Sequence, residues 1–325
     1  MKKILVSGAS GIVGYGVLQS LRKSGEACLL VGTSIYTDSV APAFCDVFEQ
    51  APPTSAPDYL DWLLATLRKH RIDLLIPGIE IDIYHWVEHL PQILATGALP
   101  LLNEPTLIAA CKDKWSFYQR LVAAEVSCAI ESSLEQDFGN LVAKFGLPFL
   151  LKPRQGFGSK GIVRVTSEAI FLMHRAAIGT LLMVQPIEGN DKEEFTTAAF
   201  CDGRGGYFAS MTLQRTLSRD GFTDKAEVVD SAEFHPAIDE LCRLFRPVGP
   251  TNFQFRRCAQ GPKLLEINPR ISSSTSIRAA FGYNESVMSL DYFLDQRDPA
   301  LPIIRRGRAI RYTDEKILYE DGVYL

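Results

Sequence analysis

Two separate stretches of this chain carry residue types suited to holding phosphate oxygens and a hard cation. In Leu264-Leu265-Glu266-Ile267-Asn268-Pro269-Arg270, Glu266 and Asn268 stand two positions apart. On a strand they share one face, where a carboxylate and an amide oxygen can grip the same cation, and Ile267 turns into the core. Gln254, in Asn252-Phe253-Gln254-Phe255 on what reads as the neighbouring strand, offers a third oxygen. Such an oxygen-only set suits Mg²⁺ or Mn²⁺ bridging phosphates and does not suit zinc. Arg270, just past the strand, is a bidentate donor for a phosphate or carboxylate. An edge strand with a polar outer face is the plainer account of the same residues.

The other stretch is the strand Leu150-Leu151-Lys152-Pro153 followed by the loop Arg154-Gln155-Gly156-Phe157-Gly158-Ser159-Lys160-Gly161 and a further strand. A glycine-rich turn between strands can fold over a polyphosphate, its amides and a hydroxyl donating to the oxygens that carry most of the charge. Lys152 projects an ammonium toward those same oxygens. By itself the loop suits an ordinary hairpin with a surface lysine equally well.

A third glycine-rich run, Gly8-Ala9-Ser10-Gly11-Ile12-Val13-Gly14, follows a strand and opens a helix, as dinucleotide-binding turns do. The second strand, however, ends Leu30-Val31-Gly32-Thr33 without the acidic residue that holds a ribose 2′-hydroxyl. The one Tyr-x-x-x-Lys, Tyr312 to Lys316, lies near the C-terminus, far from where a reductase places it. The run reads either as a nicotinamide site or as a compact strand-to-helix turn.

The elements that must position these residues fall into three groups. Strand-like runs at 3–7, 28–32 and 72–77 alternate with helical patterns at 12–23 and 57–70, the rhythm of parallel βαβ units. Helices over 114–124 and 138–145 and strands over 148–152, 161–165 and 181–187 form a smaller α+β unit. Strands follow over 194–201, 207–213, 225–229, 252–256 and 263–268, with helices over 236–245, 275–281 and 285–296 and a Pro/Arg-rich tail. There is no internal repeat or low-complexity tract.

At 325 residues, with 46% apolar and 22% charged residues, the chain has room for two or three cores and lies in the globular range. A formal charge of −4 argues against a surface built to neutralise nucleic acid. Seven scattered cysteines without a Cys-x-x-Cys pair read as reduced thiols. The apolar run after Met1-Lys2-Lys3 breaks at Ser7-Gly8, and no stretch approaches the ~18 apolar residues of a membrane span. The expected location is cytoplasmic.

Lys114, Lys152-Pro153, the glycine-rich loop, Gln185, Glu194, Gln254 and Glu266-x-Asn268-x-Arg270 occur in the order found in the ATP-grasp superfamily, which the chain resembles over roughly residues 1–283. Gly249 through Gln254 and Glu266 through Arg270 look like one synthetase half of the carbamoyl-phosphate synthase large subunit. The resemblance implies an α/β ATP-grasp fold: a Rossmann-like pre-ATP-grasp domain with a parallel sheet over 1–110, and two α+β subdomains, 111–188 and 189–325, enclosing the nucleotide. On matching positions it implies that Lys114 and Lys152 hold the phosphates of ATP, with Gln155, Gly156, Gly158, Ser159 and Gly161 in a lid. Gln185, Pro186 and Ile187 meet adenine, Gln185 standing where relatives often carry Glu, and Glu194 or its neighbour Glu193 meets the ribose. Gln254, Glu266 and Asn268 hold Mg²⁺ (or Mn²⁺), and Arg270 contacts the transferred phosphoryl group. Arg278 is a substrate-side candidate beside Lys152 and Arg270, whereas Asp113 and Trp115 read as helix-start and core residues and His235 as a loop residue. Arg215, Arg219 and Lys225 lie in segments that could line an acceptor pocket.

The implied activity is that of an ATP-dependent carboxylate–amine ligase releasing ADP and phosphate through an acylphosphate. A single synthetase copy excludes a complete carbamoyl-phosphate synthase large subunit and points to small-molecule carboxylate and amine substrates, amino acids among them, with a homodimer the commonest assembly for a soluble enzyme. The competing readings are an NAD(P)-dependent reductase using Gly8 to Gly14, and a non-catalytic ATP-binding protein.

Overall fold

The computed structural model describes residues 1–156, 161–219 and 221–317. Its strands are β1 (Lys2–Val6), β2 (Cys28–Ser34), β3 (Val47–Gln50), β4 (Leu74–Ile76), β5 (Leu99–Pro100), β6 (Phe149–Pro153), β7 (Val163–Val165), β8 (Leu182–Pro186), β9 (Glu194–Asp202), β10 (Tyr207–Leu217), β11 (Thr223–Val229), β12 (Val248–Cys258), β13 (Gly261–Asn268) and β14 (Arg308–Ile310). The helices are α1 (Ile12–Ser24), α2 (Tyr59–His70), α3 (Glu80–Glu88), α4 (Leu90–Leu94), α5 (Pro105–Cys111), α6 (Lys114–Ala123), α7 (Phe138–Phe145), α8 (Glu168–His174), α9 (His235–Phe245), α10 (Thr275–Ala280) and α11 (Glu285–Ser289). None of the described helices is long and apolar enough to cross a membrane.

The strands form three sheets. The first is parallel, in the order β3-β2-β1-β4-β5. Its strands are apolar on both faces because helices cover both. Ile4 and Val6 turn toward Val17, Leu18 and Leu21 of α1, and Leu5, one position out of phase, turns toward Leu63 and Leu67 of α2. Helix α1 ends where Gly25 takes a left-handed conformation, φ 81°.

The second sheet is antiparallel, in the order β13-β12-β9-β10-β11-β14, and the third, β7-β6-β8, is antiparallel too. Strand β12 sends Phe253 and Phe255 against Ile238, Leu241 and Phe245 of α9, so the intervening Asn252 and Gln254 take the opposite face. In β6, Phe149 and Leu151 pack into the core beneath α7 and α8, which leaves Leu150 and Lys152 for the other side. The connector 124–133 ties these two sheets together. Leu264 N–H donates to Cys128 O at one end, and Ser133 exchanges both backbone hydrogen bonds with Val184 of β8 at the other.

Elements read from long periodic patterns lie where expected, with bounds shifted by a few residues. The single helix expected over 285–296 is instead α11 followed by a wider π turn, Leu290–Leu294. The C-terminal tail contains β14, an edge strand on β11. Strands β3 and β5 and helices α3, α4, α5 and α8 went unread, and all of them but the nine-residue α3 are too short to show a period.

The N-terminal glycines make a backbone-to-backbone contact. A Cβ on Gly14 would stand 2.3 Å from Gly8 O, and one on Gly78 would stand 2.0 Å from Ser7 O. Gly8 itself has φ +57°. These residues let the β1–α1 and β4–α3 turns close on each other, which is the compact-turn account of the motif. Gly14→Ala and Gly78→Ala should each cost about 1–3 kcal/mol through overpacking. Urea unfolding checks this, and two variants as stable as wild type would contradict it.

Candidate functional site

Strands β12 and β13 place Gln254 directly opposite Glu266 and Asn252 opposite Asn268. Gln254 Nε2 donates to Glu266 Oε1 at 2.7 Å, and Asn268 Nδ2 donates to the same oxygen at 3.0 Å. Arg270 Nη2 donates to Asn268 Oδ1 at 3.1 Å and lies 3.5 Å from Glu80 of α3. Of the three residues expected to hold a cation, Gln254 and Asn268 thus both contact Glu266, with Arg270 beside them. Their donor set, one carboxylate and two amides, fits a hard divalent ion. The fit is incomplete without a ligand: both amides now turn N–H groups toward Glu266, and the set has a single formal charge. Among the described residues no group of three or more His, Cys, Asp or Glu side chains could hold a metal by itself.

Lys152 lies in the same cleft. Lys114, Ile130, Lys152, Gly156, Gln185, Leu265 and Glu266 line both halves of a groove between the three-stranded and six-stranded sheets. Burial lowers the pKa of Lys152 to about 8. Lys114 and Arg256 push the same way, while Glu266 and Glu194 oppose them. Folding stability supplied by this group therefore rises with pH between about 8 and its ordinary value of 10.5, where the unfolded chain binds the proton and the folded chain does not. Lys114, at the start of α6, donates from Nζ to Gly156 O at 2.7 Å. The preceding Asp113 caps α6 through Trp115 N and Ser116 N and pairs with Arg154 at 2.6 Å. Burial raises its pKa, and the Arg154 guanidinium and the two amides more than offset that. Trp115, expected in the core, is only half-buried and packs at a tilt beside Tyr118.

Of the other expected residues, Gln185 is buried in the groove and donates to Ser132 Oγ at 3.0 Å, and Pro186 lines the same wall. Ile187 is not among the lining residues. Gln155 and Gly161 are exposed beside the groove, and Gly158 and Ser159 lie outside the described residues. The two adjacent acids separate. Glu194 is buried in the groove between Arg215 and Arg256, each at 2.9 Å, whereas Glu193 pairs with Arg257 outside it. Arg219 and Lys225 are exposed, and neither lines the groove. His235 is the first residue of α9.

Arg278 is corrected by the structure. It is 0% exposed and lines neither half of the groove. It donates to Thr196 Oγ1 at 3.0 Å and Asn252 Oδ1 at 2.9 Å and lies 3.9 Å from the equally buried Glu285. Burial lowers its pKa and raises that of Glu285. It was expected on the substrate side, but helix α10 turns it inward as a brace between β9 and β12. The residues that sequence reasoning missed are Glu80, Arg256 and Cys111, all in the groove. Arg256 had a signal, standing two positions after Gln254 on one strand face. Glu80 had another, an acid just beyond the C-terminal end of a parallel strand.

The fold can be compared with known structures. N5-carboxyaminoimidazole synthetase from Staphylococcus aureus superposes with a TM-score of 0.70 at 18% identity, covering 93% of this chain and 80% of that one. The same enzyme complexed with ADP gives a TM-score of 0.69 at 19% identity over the same shares. The chain has the ATP-grasp fold. A family model described as ATP-grasp in the biosynthetic pathway with Ter operon matches residues 191–316. An uncharacterised Sinorhizobium fredii protein, y4rH, is 27% identical over 191 residues, 53% of this chain. A probable α-L-glutamate ligase of Mannheimia succiniciproducens is 35% identical over 72 residues, 22% of this chain. The chain spans only 38% and 24% of the lengths of these two relatives. Beside these, the likeness to carbamoyl-phosphate synthase is a loose one.

The ATP-grasp core therefore depends on Arg278 for support. Arg278→Leu should cost about 3–5 kcal/mol by leaving Glu285 buried and unpaired. Adding Glu285→Gln should recover part of that loss in chemical denaturation, and a single variant of wild-type stability would contradict the brace.

Proposed function

We propose that the protein is an ATP-dependent carboxylate–amine ligase. The observation that carries this reading is the convergence in one groove of Lys152 from the three-stranded sheet and Lys114 from the start of α6 with Gln254, Glu266 and Asn268 from the six-stranded sheet. Two cations facing an oxygen-only ligand set suit a metal-bound triphosphate. The ADP complex of a neighbour with this fold and the partial match to a probable α-L-glutamate ligase support the nucleotide and an amino-acid class of substrate.

In the proposed reaction a substrate carboxylate oxygen attacks the γ-phosphorus of ATP, the bond to the β–γ bridging oxygen breaks, and ADP leaves with that electron pair. The amine then attacks the carbonyl of the acylphosphate, inorganic phosphate departs, and the amine loses a proton. Mg²⁺ bound at Glu266, Asn268 and Gln254 would neutralise charge on the phosphate oxygens. Lys114 and Lys152 hold those oxygens, Arg270 meets the transferred phosphoryl group, and the hinge strand at Gln185 and Pro186 receives adenine. Glu194 lies on the ribose side. Positioning and electrostatics do the work, so no nucleophilic side chain is required. The compact packing of Gly8, Gly14 and Gly78 accounts for the N-terminal motif without a nicotinamide.

Amino acids and small carboxylates, singly and in pairs, should elicit Mg²⁺-dependent phosphate release with an amide product detectable by mass spectrometry. Glu266→Ala should lower that turnover at least a hundredfold, and full turnover in this variant would remove the metal assignment. Tight NADPH binding with no thermal shift from ATP–Mg²⁺ would overturn the ligase reading. Because a polyphosphate favours the charged form of Lys152, ADP binding near pH 8.5 should take up protons and weaken as pH rises further. Calorimetry in buffers of different ionisation heat measures this uptake, and a buffer-independent heat would contradict it.

A further inference from the structure

Arg215, on β10, is 6% exposed. It lines the same half of the groove as Lys152, Gln254 and Glu266. It donates to Glu194 Oε1 through Nε at 3.2 Å and Nη2 at 2.9 Å, and Nη2 also serves Gln254 Oε1. Glu194 has a second partner, Arg256, at 2.9 Å on its other oxygen. Among the described residues, that half of the groove is lined by four cations, Lys114, Lys152, Arg215 and Arg256, and three carboxylates, Glu188, Glu194 and Glu266, and Arg256 has a further partner in the exposed Asp191.

Two features indicate which cation has capacity to spare. Among the described residues no hydrogen bond uses Nη1 of Arg215, and this atom is not among the fully buried ones, so it stays open to the groove with its donors free. Its bond to Gln254 also conflicts with a cation there, because the amide oxygen that accepts from Arg215 is the atom that would ligate the metal. When a metal takes that oxygen, Nη2 needs another acceptor close by, and its flat fork matches a phosphate.

We propose that Arg215 is a phosphate-binding residue of the nucleotide site, anchored on Glu194 and exchanging its bond to Gln254 for an oxygen of the nucleotide's terminal phosphates. This rests on the ATP reading above. It makes Gln254 a shared atom: Arg215 holds it until metal and polyphosphate arrive together, so the divalent ion binds with the nucleotide and not ahead of it. Arg215 touches the nucleotide itself, its fork aimed by the buried carboxylate behind it.

The test compares ADP with AMP, which keeps the base and ribose but lacks the second phosphate. Calorimetric titration of wild type and Arg215→Gln in Mg²⁺ should show ADP affinity reduced at least tenfold and AMP affinity within twofold of wild type. Arg215→Lys, which keeps the charge, should recover part of the ADP affinity. Equal weakening of ADP and AMP would overturn the proposal, since Arg215 would then act only by holding Glu194 at the ribose. Unchanged affinity for both would overturn it as well. If Arg215→Gln fails to fold, Glu194→Gln/Arg215→Gln, which buries no orphan carboxylate, is compared with Glu194→Gln alone, with the same ADP-against-AMP criterion. Wild type binding neither nucleotide would sink the ATP reading itself, an outcome distinct from either of these.

Discussion

Glu266 and Lys152 sit on different sheets that share no ladder, yet each acts on the other across the groove: Glu266 is the leading group that keeps Lys152 charged against burial. That opposition of one carboxylate and one ammonium depends on the spacing of two walls. The connector 124–133 helps to set it, bonded to β13 through Cys128 and to β8 through Ser133, with Ile130 lining the groove between them. A strap with one backbone bond to β13 and two to β8 links the walls without making them one rigid sheet, which suits a groove that must admit a large ligand.

The electrostatics of the groove form a chain. From Glu194 the contacts run through Arg215, Gln254, Glu266, Asn268 and Arg270 to Glu80, alternating donors and acceptors with almost no branch. The chain crosses from the six-stranded sheet to helix α3 of the N-terminal unit, so that unit also reaches the groove. Behind the chain, Arg278 braces β9 and β12 from the interior. A buried cation there costs solvation, and the bonds to Thr196, Asn252 and Ser272 offset it.

Much of this was legible in the sequence. The parallel βαβ rhythm, the pairing of Glu266 with Asn268 on one face and the capping role of Asp113 follow from local periodicity and local hydrogen bonding, which a linear reading carries. The short elements did not show, because a four-residue strand such as β3 or a seven-residue helix such as α8 holds too little pattern to separate from a loop. The tail strand β14 exists only because β11 offers an open edge.

By itself the sequence determined which side chains within one strand share a face, since alternation is a property of the extended backbone, and it determined the glycine turns, since only a missing Cβ allows such close approach. The tertiary structure alone placed Glu194 inside the groove and Glu193 outside it, turned Arg278 inward, and brought Glu80 and Arg215 to the groove. Each of those outcomes depends on register between segments far apart in the chain. A shift of one residue in that register would exchange the buried and exposed members of every pair.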